Sequence, residues 1–196
     1  MIKQIGGEFL NDVSDAHRAT HIIASDGSQS IKRTPKLMIA ICKGAKVVNL
    51  DWLIRSARAK EPLPSEEFLI LNDLEAEAKY GFLMRETLNT AKRLSESNKG
   101  FLDGLSLHVC EGVAGNGAPS KKEMKLIIEA AGGHWISNLD TIQGKERPEE
   151  IIIISSVDPK EAKRQLKRIS VAAAQRRGAL CKTTAWLFRS VMMQQI

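Results

Sequence analysis

Two stretches of this chain follow one plan. Ile5-Gly6-Gly7, followed by Glu8-Phe9-Leu10, returns as Ala131-Gly132-Gly133 followed by His134-Trp135-Ile136. Both read as a glycine-capped helix end leading into a short strand. Thr20-His21-Ile22-Ile23-Ala24 returns as Glu150-Ile151-Ile152-Ile153-Ile154, continuous apolar runs of the kind expected for strands buried on both faces of a parallel sheet. A helix follows in each copy, over 34–43 and over 159–177, the second longer and strongly charged. Asp51-Trp52-Leu53-Ile54-Arg55-Ser56-Ala57 then returns as Ala185-Trp186-Leu187-Phe188-Arg189-Ser190-Val191, so Trp52 and Trp186 are each expected in the core of their unit. Strands alternating with helices over roughly 90 residues predict a small three-layer α/β domain, a parallel sheet flanked by helices, built twice.

The two copies do not start alike. Before its glycine pair the second copy holds an apolar strand over 105–110 and a helix over 119–131, whereas the first reaches Gly6 almost at once. The first unit, residues 1–71, is therefore expected to lack its opening strand and most of its first helix. A strand is also expected over 46–50, after the Gly44 helix stop. Residues 72–100 are acidic at first, then carry Leu88, Ala91 and Leu94 at helical spacing, and read as a linker containing a helix. The second unit spans 101–196.

Composition narrows the partner class. Lys and Arg number 29 against 23 Asp and Glu, a net charge of +6 with a pI of about 9.3. That balance favours an acidic partner such as nucleic acid, a phosphorylated protein or an anionic surface. Cys42, Cys110 and Cys181 are far apart and lack any CxxC spacing, which argues against a disulfide framework or a thiolate zinc site and for a reducing compartment. The first residues lack the apolar segment of a signal peptide, and no run approaches the roughly 20 apolar residues of a membrane span. A soluble, intracellular protein with no membrane partner is expected.

The sharpest chemical signal is Arg33-Thr34-Pro35-Lys36. Thr34 before Pro35 is an N-cap with proline at the first helical position. Arg33 and Lys36 set a guanidinium and an ammonium a turn apart where helix N–H groups also favour an anion. A second basic feature lies between Lys160 and Lys182, where eight Lys or Arg residues meet only Glu161. Lys160, Lys163, Arg164, Lys167 and Arg168 form a helical stripe there that could touch DNA or a nucleosome, although a solvated face is the simpler account. Gly112, Gly115 and Gly117 surround a loop that lacks the Lys-Ser/Thr of a P-loop and reads as flexible. His17, His21, His108 and His134 have no metal spacing, and no Gly-x-Ser-x-Gly elbow is present, so no enzyme activity, metal or other cofactor is expected.

Taken together, the glycine pairs, the Thr-His-Ile-Ile strand, the Arg-Thr-x-Lys helix start, the Trp of the last helix and Leu63-Pro64-Ser65-Glu66-Glu67-Phe68 resemble the BRCT family. The resemblance covers essentially the whole chain as a tandem pair, most similar to the pairs of DNA-damage scaffolds. Asp73-Leu74-Glu75-Ala76-Glu77 with Tyr80-Gly81-Phe82 is similar to the inter-repeat linker of that subgroup, and the stretch from Ile127 to Gly133 to its second repeat. The resemblance implies a nuclear module of the DNA-damage response that binds phosphoserine or phosphothreonine peptides, with a phosphorylated histone tail among the candidate partners. It assigns Lys36 and Thr34 to the phosphate and Arg33 to the peptide main chain or a terminal carboxylate. Met38, Pro119 and Phe188 are assigned to a groove for the side chain three residues further on. The family's other phosphate ligands, a Ser or Thr hydroxyl and a Gly amide at the end of the first strand, have no counterpart from Met1 onward. Two alternatives stand beside this reading: nucleic-acid binding through the 160–182 stripe, and an adaptor without a working phosphate pocket.

Overall fold

The computed structural model describes residues 1–115, 118–141 and 147–196. They form two compact units, Met1–Asn98 with Met192–Gln194, and Lys99–Val191 with Gln195–Ile196.

The first unit opens with 3-10 turns at Ile2–Ile5 and Val13–Arg18. Strand β1 (His21–Ser25), helix α1 (Pro35–Cys42), strand β2 (Lys46–Asn49) and helix α2 (Leu50–Ala59) follow. The segment expected as a linker holds two helices, α3 (Leu74–Tyr80) and α4 (Met84–Glu96). β1 and β2 run parallel, His21 opposite Lys46 and Ser25 opposite Asn49. α1 begins where the Thr34 hydroxyl oxygen accepts from the Leu37 N–H at 3.2 Å, with Pro35 preset for the first turn. Every residue from Leu37 to Cys42 is buried, so α1 is a central helix rather than an amphipathic surface one. β2 stops one residue short of the expected end because the Asn49 side chain caps α2, accepting from the Trp52 N–H at 3.3 Å. Val48, Trp52, Leu53 and Phe68 pack together beneath Ile2 and Ile5. The Trp52 indole N–H donates to the Leu63 carbonyl at 2.9 Å, and its ring stacks on His21 with centroids 4.3 Å apart.

The second unit contains β3 (Ser106–Val109), α5 (Lys121–Ala130), β4 (His134–Ile136) and β5 (Ile151–Ser155). α6 (Pro159–Leu166), α7 (Ile169–Arg176), β6 (Leu180–Thr183) and α8 (Thr184–Met193) complete it. Its four strands are all parallel, in the order β4-β3-β5-β6. All of β5 is buried, as its apolar run predicts. α5 starts at a capping box, Ser120 and Glu123 each satisfying the other's backbone N–H. It ends at Gly132, whose φ of 87° sits in the left-handed region and whose Cα face meets Gly100: a Cβ on Gly132 would come within 2.9 Å of the Gly100 Cα.

Four further details depart from the sequence reading. The helix expected over 159–177 is two helices, and in the last turn of the first, buried Gln165 is held from both sides. Its side-chain oxygen accepts from the Ser156 N–H at 2.9 Å and its amide donates to the Glu111 carbonyl at 3.3 Å, while Arg168 turns extended to begin α7. Trp186 is only partly buried, with the Lys182 ammonium 5.6 Å from its ring centre, so it is not the core anchor that Trp52 is. β1 is half-exposed rather than buried on both faces, Ile23 keeping 37% of its surface. Residues 8–10 form no strand, whereas their counterpart β4 does. β4 pairs with β3 alone, and among the described residues of the first unit no strand occupies the place of β3. A strand without a neighbour leaves its backbone N–H and C=O groups unpaired, so the segment stays irregular.

Candidate functional site

The Arg33-Thr34-Pro35-Lys36 string lies where the sequence reading sets it, at the start of α1. Thr34 is exposed, and Arg33 and Lys36 are partly buried. With its oxygen accepting from Leu37, the Thr34 hydroxyl still has a proton to donate. The Lys36 ammonium donates to the Asn11 carbonyl. The Arg33 guanidinium lies over the Tyr80 ring, 4.7 Å from its centroid, and burial lowers its pKa from the ordinary arginine value. Stacking of this kind holds the planar fork in one orientation.

The loop before α1 is fastened by a residue that sequence reasoning did not single out as part of the site. The Asp73 carboxylate accepts from the Ser30 hydroxyl at 2.9 Å and the Ile31 N–H at 2.7 Å, and from the Ala76 N–H at 3.0 Å, where it caps α3. Burial pushes the Asp73 pKa up, but those hydrogen bonds outweigh it and hold the group below the ordinary aspartate value. Its capping role is visible in Asp-Leu-Glu-Ala-Glu. Its grip on a loop more than forty positions earlier in the chain has no local signal.

A cavity of about 480 Å³ opens between the end of β1 and the start of α1, lined by Ser25, Asp26, Gln29, Ser30, Lys32 and Thr34 among others. A second, of about 500 Å³, extends from Thr34 and Lys36 along β1 toward the segment 8–10. The three residues assigned to a peptide groove belong to three different segments of the chain. Met38 lies in α1 at 1% exposure and Phe188 in α8 at 6%, both within the core of their units, while Pro119 is partly exposed ahead of α5.

The basic stripe is less open than its sequence suggests. Arg164 pairs with Glu161 at 2.5 Å, Arg168 pairs with Glu111, and the break between α6 and α7 interrupts the helical spacing. Of the glycine loop, Gly112 and Gly115 adopt positive φ, and Gly117 lies outside the described residues. Among the described residues no group of three or more His, Cys, Asp or Glu could hold a metal, and no helix is long and apolar enough to cross a membrane.

The BRCA1 C Terminus (BRCT) domain profile matches residues 1–57. Mediator of DNA damage checkpoint protein 1 from Homo sapiens is 26% identical over 154 residues, 79% of this chain and 6% of that protein. PAX-interacting protein 1 from Mus musculus is 32% identical over 129 residues, 66% of this chain and 11% of that protein. The chain thus spans a small part of the relatives it matches. In fold it is similar to the crystallised BRCT5-BRCT6 domains of S. pombe Brc1, with a TM-score of 0.72 at 21% identity, covering 100% of this chain and 86% of that one. The BRCT family model thus matches the first unit, and over its whole length the chain has the fold of a tandem BRCT pair.

Proposed function

We propose that this tandem pair is a phosphoprotein-binding scaffold module of the nuclear DNA-damage response, reading phosphoserine or phosphothreonine peptides at the start of α1. The observation that carries the reading is the start of α1, where Thr34 lines a cavity of about 480 Å³ and, with Lys36, a second of about 500 Å³, and where the neighbouring Arg33 guanidinium is stacked on Tyr80. Lys36 would exchange its bond to the Asn11 carbonyl for one to a phosphate oxygen, a neutral acceptor for a charged one. Thr34 would donate its hydroxyl proton to the same phosphate, and Arg33 would hold a main-chain carbonyl or carboxylate of the peptide. The names of the relatives support the setting in DNA-damage signalling and hence the nucleus. Nucleic-acid binding through 160–182 has less support, since Arg164 and Arg168 are already engaged by carboxylates.

The test is calorimetric titration with a phosphoserine peptide and its unphosphorylated twin. The phosphorylated form is expected to bind more tightly, and Lys36→Met to weaken it by about 10- to 100-fold, the range for a hydrogen bond to a charged group. Equal affinity for the two peptides, or an unchanged affinity in the variant, refutes the reading.

A further inference from the structure

The loop that joins β1 to α1 spends most of its hydroxyl groups on its own fastening. The Ser25 hydroxyl donates to the Gln29 carbonyl at 2.6 Å, and the Ser30 hydroxyl to the Asp73 carboxylate at 2.9 Å. One oxygen of Asp26, Oδ1, accepts the Ser28 hydroxyl at 2.7 Å and the Ser28 N–H at 2.9 Å, closing a turn. Those bonds from Ser28 hold the Asp26 carboxyl below the ordinary aspartate value, so it is charged at neutral pH. Among the described residues its hydrogen-bond partners are Ser28 and its own backbone N–H, and no cation pairs with it. The Lys32 ammonium, likewise among the described residues, has neither a carboxylate nor a carbonyl partner. Asp26 and Lys32 both line the cavity of about 480 Å³, with Ile22, Leu37 and Leu50 as apolar lining. They stand at opposite ends of the loop, Asp26 directly after β1 and Lys32 shortly before Thr34 and α1.

We propose that this cavity selects among phosphopeptides, taking a Lys or Arg side chain one or two residues from the phosphoresidue, with Asp26 as the group that recognises it. The assignment rests on the phosphopeptide reading of the start of α1. Thr34 lines the same cavity, so a phosphate held there sets a flanking residue of the peptide beside it. A cavity of this volume is about 8 Å across, two to three residues of extended peptide at about 3.3 Å each. Charge sorts its two ends. Lys32 adds a cation where the phosphate is held, and Asp26 offers a charged acceptor at the end next to β1. The methylenes of a Lys or Arg stem lie along Ile22, Leu37 and Leu50 while the head reaches the carboxylate. An acidic side chain in that place meets a like charge. A chain of net charge +6, which as a whole favours acidic ligands, thus singles out a basic residue at one position.

The probe is a fluorescein-labelled phosphoserine peptide of glycine and alanine. One position, from two before to two after the phosphoserine, carries Lys, Ala or Glu. Anisotropy with the full chain reads each affinity, and each unphosphorylated twin is measured beside it. At one of these positions Lys is expected to bind about fivefold more tightly than Glu, the upper range for a single exposed ion pair. Asp26→Asn keeps the oxygen that closes the turn on Ser28 and removes only the charge, and is expected to cut that ratio below about twofold. Equal affinity for Lys and Glu at every position, or a ratio unchanged in the variant, overturns the role of Asp26 and leaves the phosphate reading standing. Phosphorylated peptides that bind no better than their twins overturn both.

Discussion

Asp73 shows how a single side chain can govern a site it does not line. Its carboxylate accepts three hydrogen bonds, two of them from Ser30 and Ile31 in the loop that delivers Arg33 and Thr34 to the start of α1. Asp73→Ala removes the α3 cap and leaves the Ile31 N–H without that acceptor in a part-buried place. Loss of a cap costs about 1 kcal/mol and an orphaned donor about 1–3 kcal/mol, so a destabilisation of roughly 2–4 kcal/mol is expected in urea unfolding. Because the carboxylate is held below its ordinary pKa, its contribution is present above the unfolded aspartate value and is lost as pH falls through the folded one. The difference between the parent and the variant should therefore shrink in acid. Phosphopeptide affinity should fall as well, since the loop ahead of α1 is no longer tied down. A variant as stable as the parent at neutral pH would show that the carboxylate is dispensable to the loop.

At the scale of elements, close approach of backbone decides one helix end that composition alone could not. A Cβ built on Gly100 would lie 2.0 Å from the Ala131 carbonyl oxygen and 2.6 Å from the Gly132 nitrogen, with no flexible side chain in the way to yield. Gly100→Ala is expected to destabilise the second unit by more than about 3 kcal/mol, read as a lower denaturation midpoint for that unit, while Gly104→Ala meets no neighbour and carries only the strain of its φ of 80°. Elements whose signal is local were legible: the Ile151–Ser155 strand and the Thr34 cap both sit in runs of a few residues that specify themselves. What was not legible depends on partners distant in sequence. The α6–α7 break falls beside Gln165, whose side chain bonds to Ser156 and Glu111, and residues 8–10 fail to become a strand for want of a neighbour, although their sequence pattern matches that of β4. The site divides in the same way. Arg33, Thr34 and Lys36 were readable because they are consecutive or nearly so. The cation–π support from Tyr80 and the fastening by Asp73 are set by the fold, as is the depth at which Met38 and Phe188 are buried.

At the scale of the whole molecule, the two units rest on unequal foundations. Parallel sheets are stable when both faces and most edges are covered, and a two-stranded sheet on its own is marginal in water. The second unit meets that requirement with four strands around a fully buried β5. The first has two strands, one half-exposed, and leans instead on α1, which is buried throughout, and on α4, where the Ser95 hydroxyl donates to the Lys43 carbonyl at 3.0 Å beside Gly44. Stability should accordingly be uneven along the chain. Native-state hydrogen exchange is expected to find the amides of Ile152, Ile153 and Ile154 the slowest, opening only with the second unit as a whole. The amides of Ile22 and Ile23 should exchange at least about tenfold faster, a gap of about 1.4 kcal/mol in opening free energy. Amides in α1, such as those of Ile39 and Ile41, should fall between these limits, because their shielding comes from packing and not from the sheet. Equal protection of β1 and β5 would mean that the first unit gains its cooperativity from its helices alone, and that its open sheet edge carries no cost in stability.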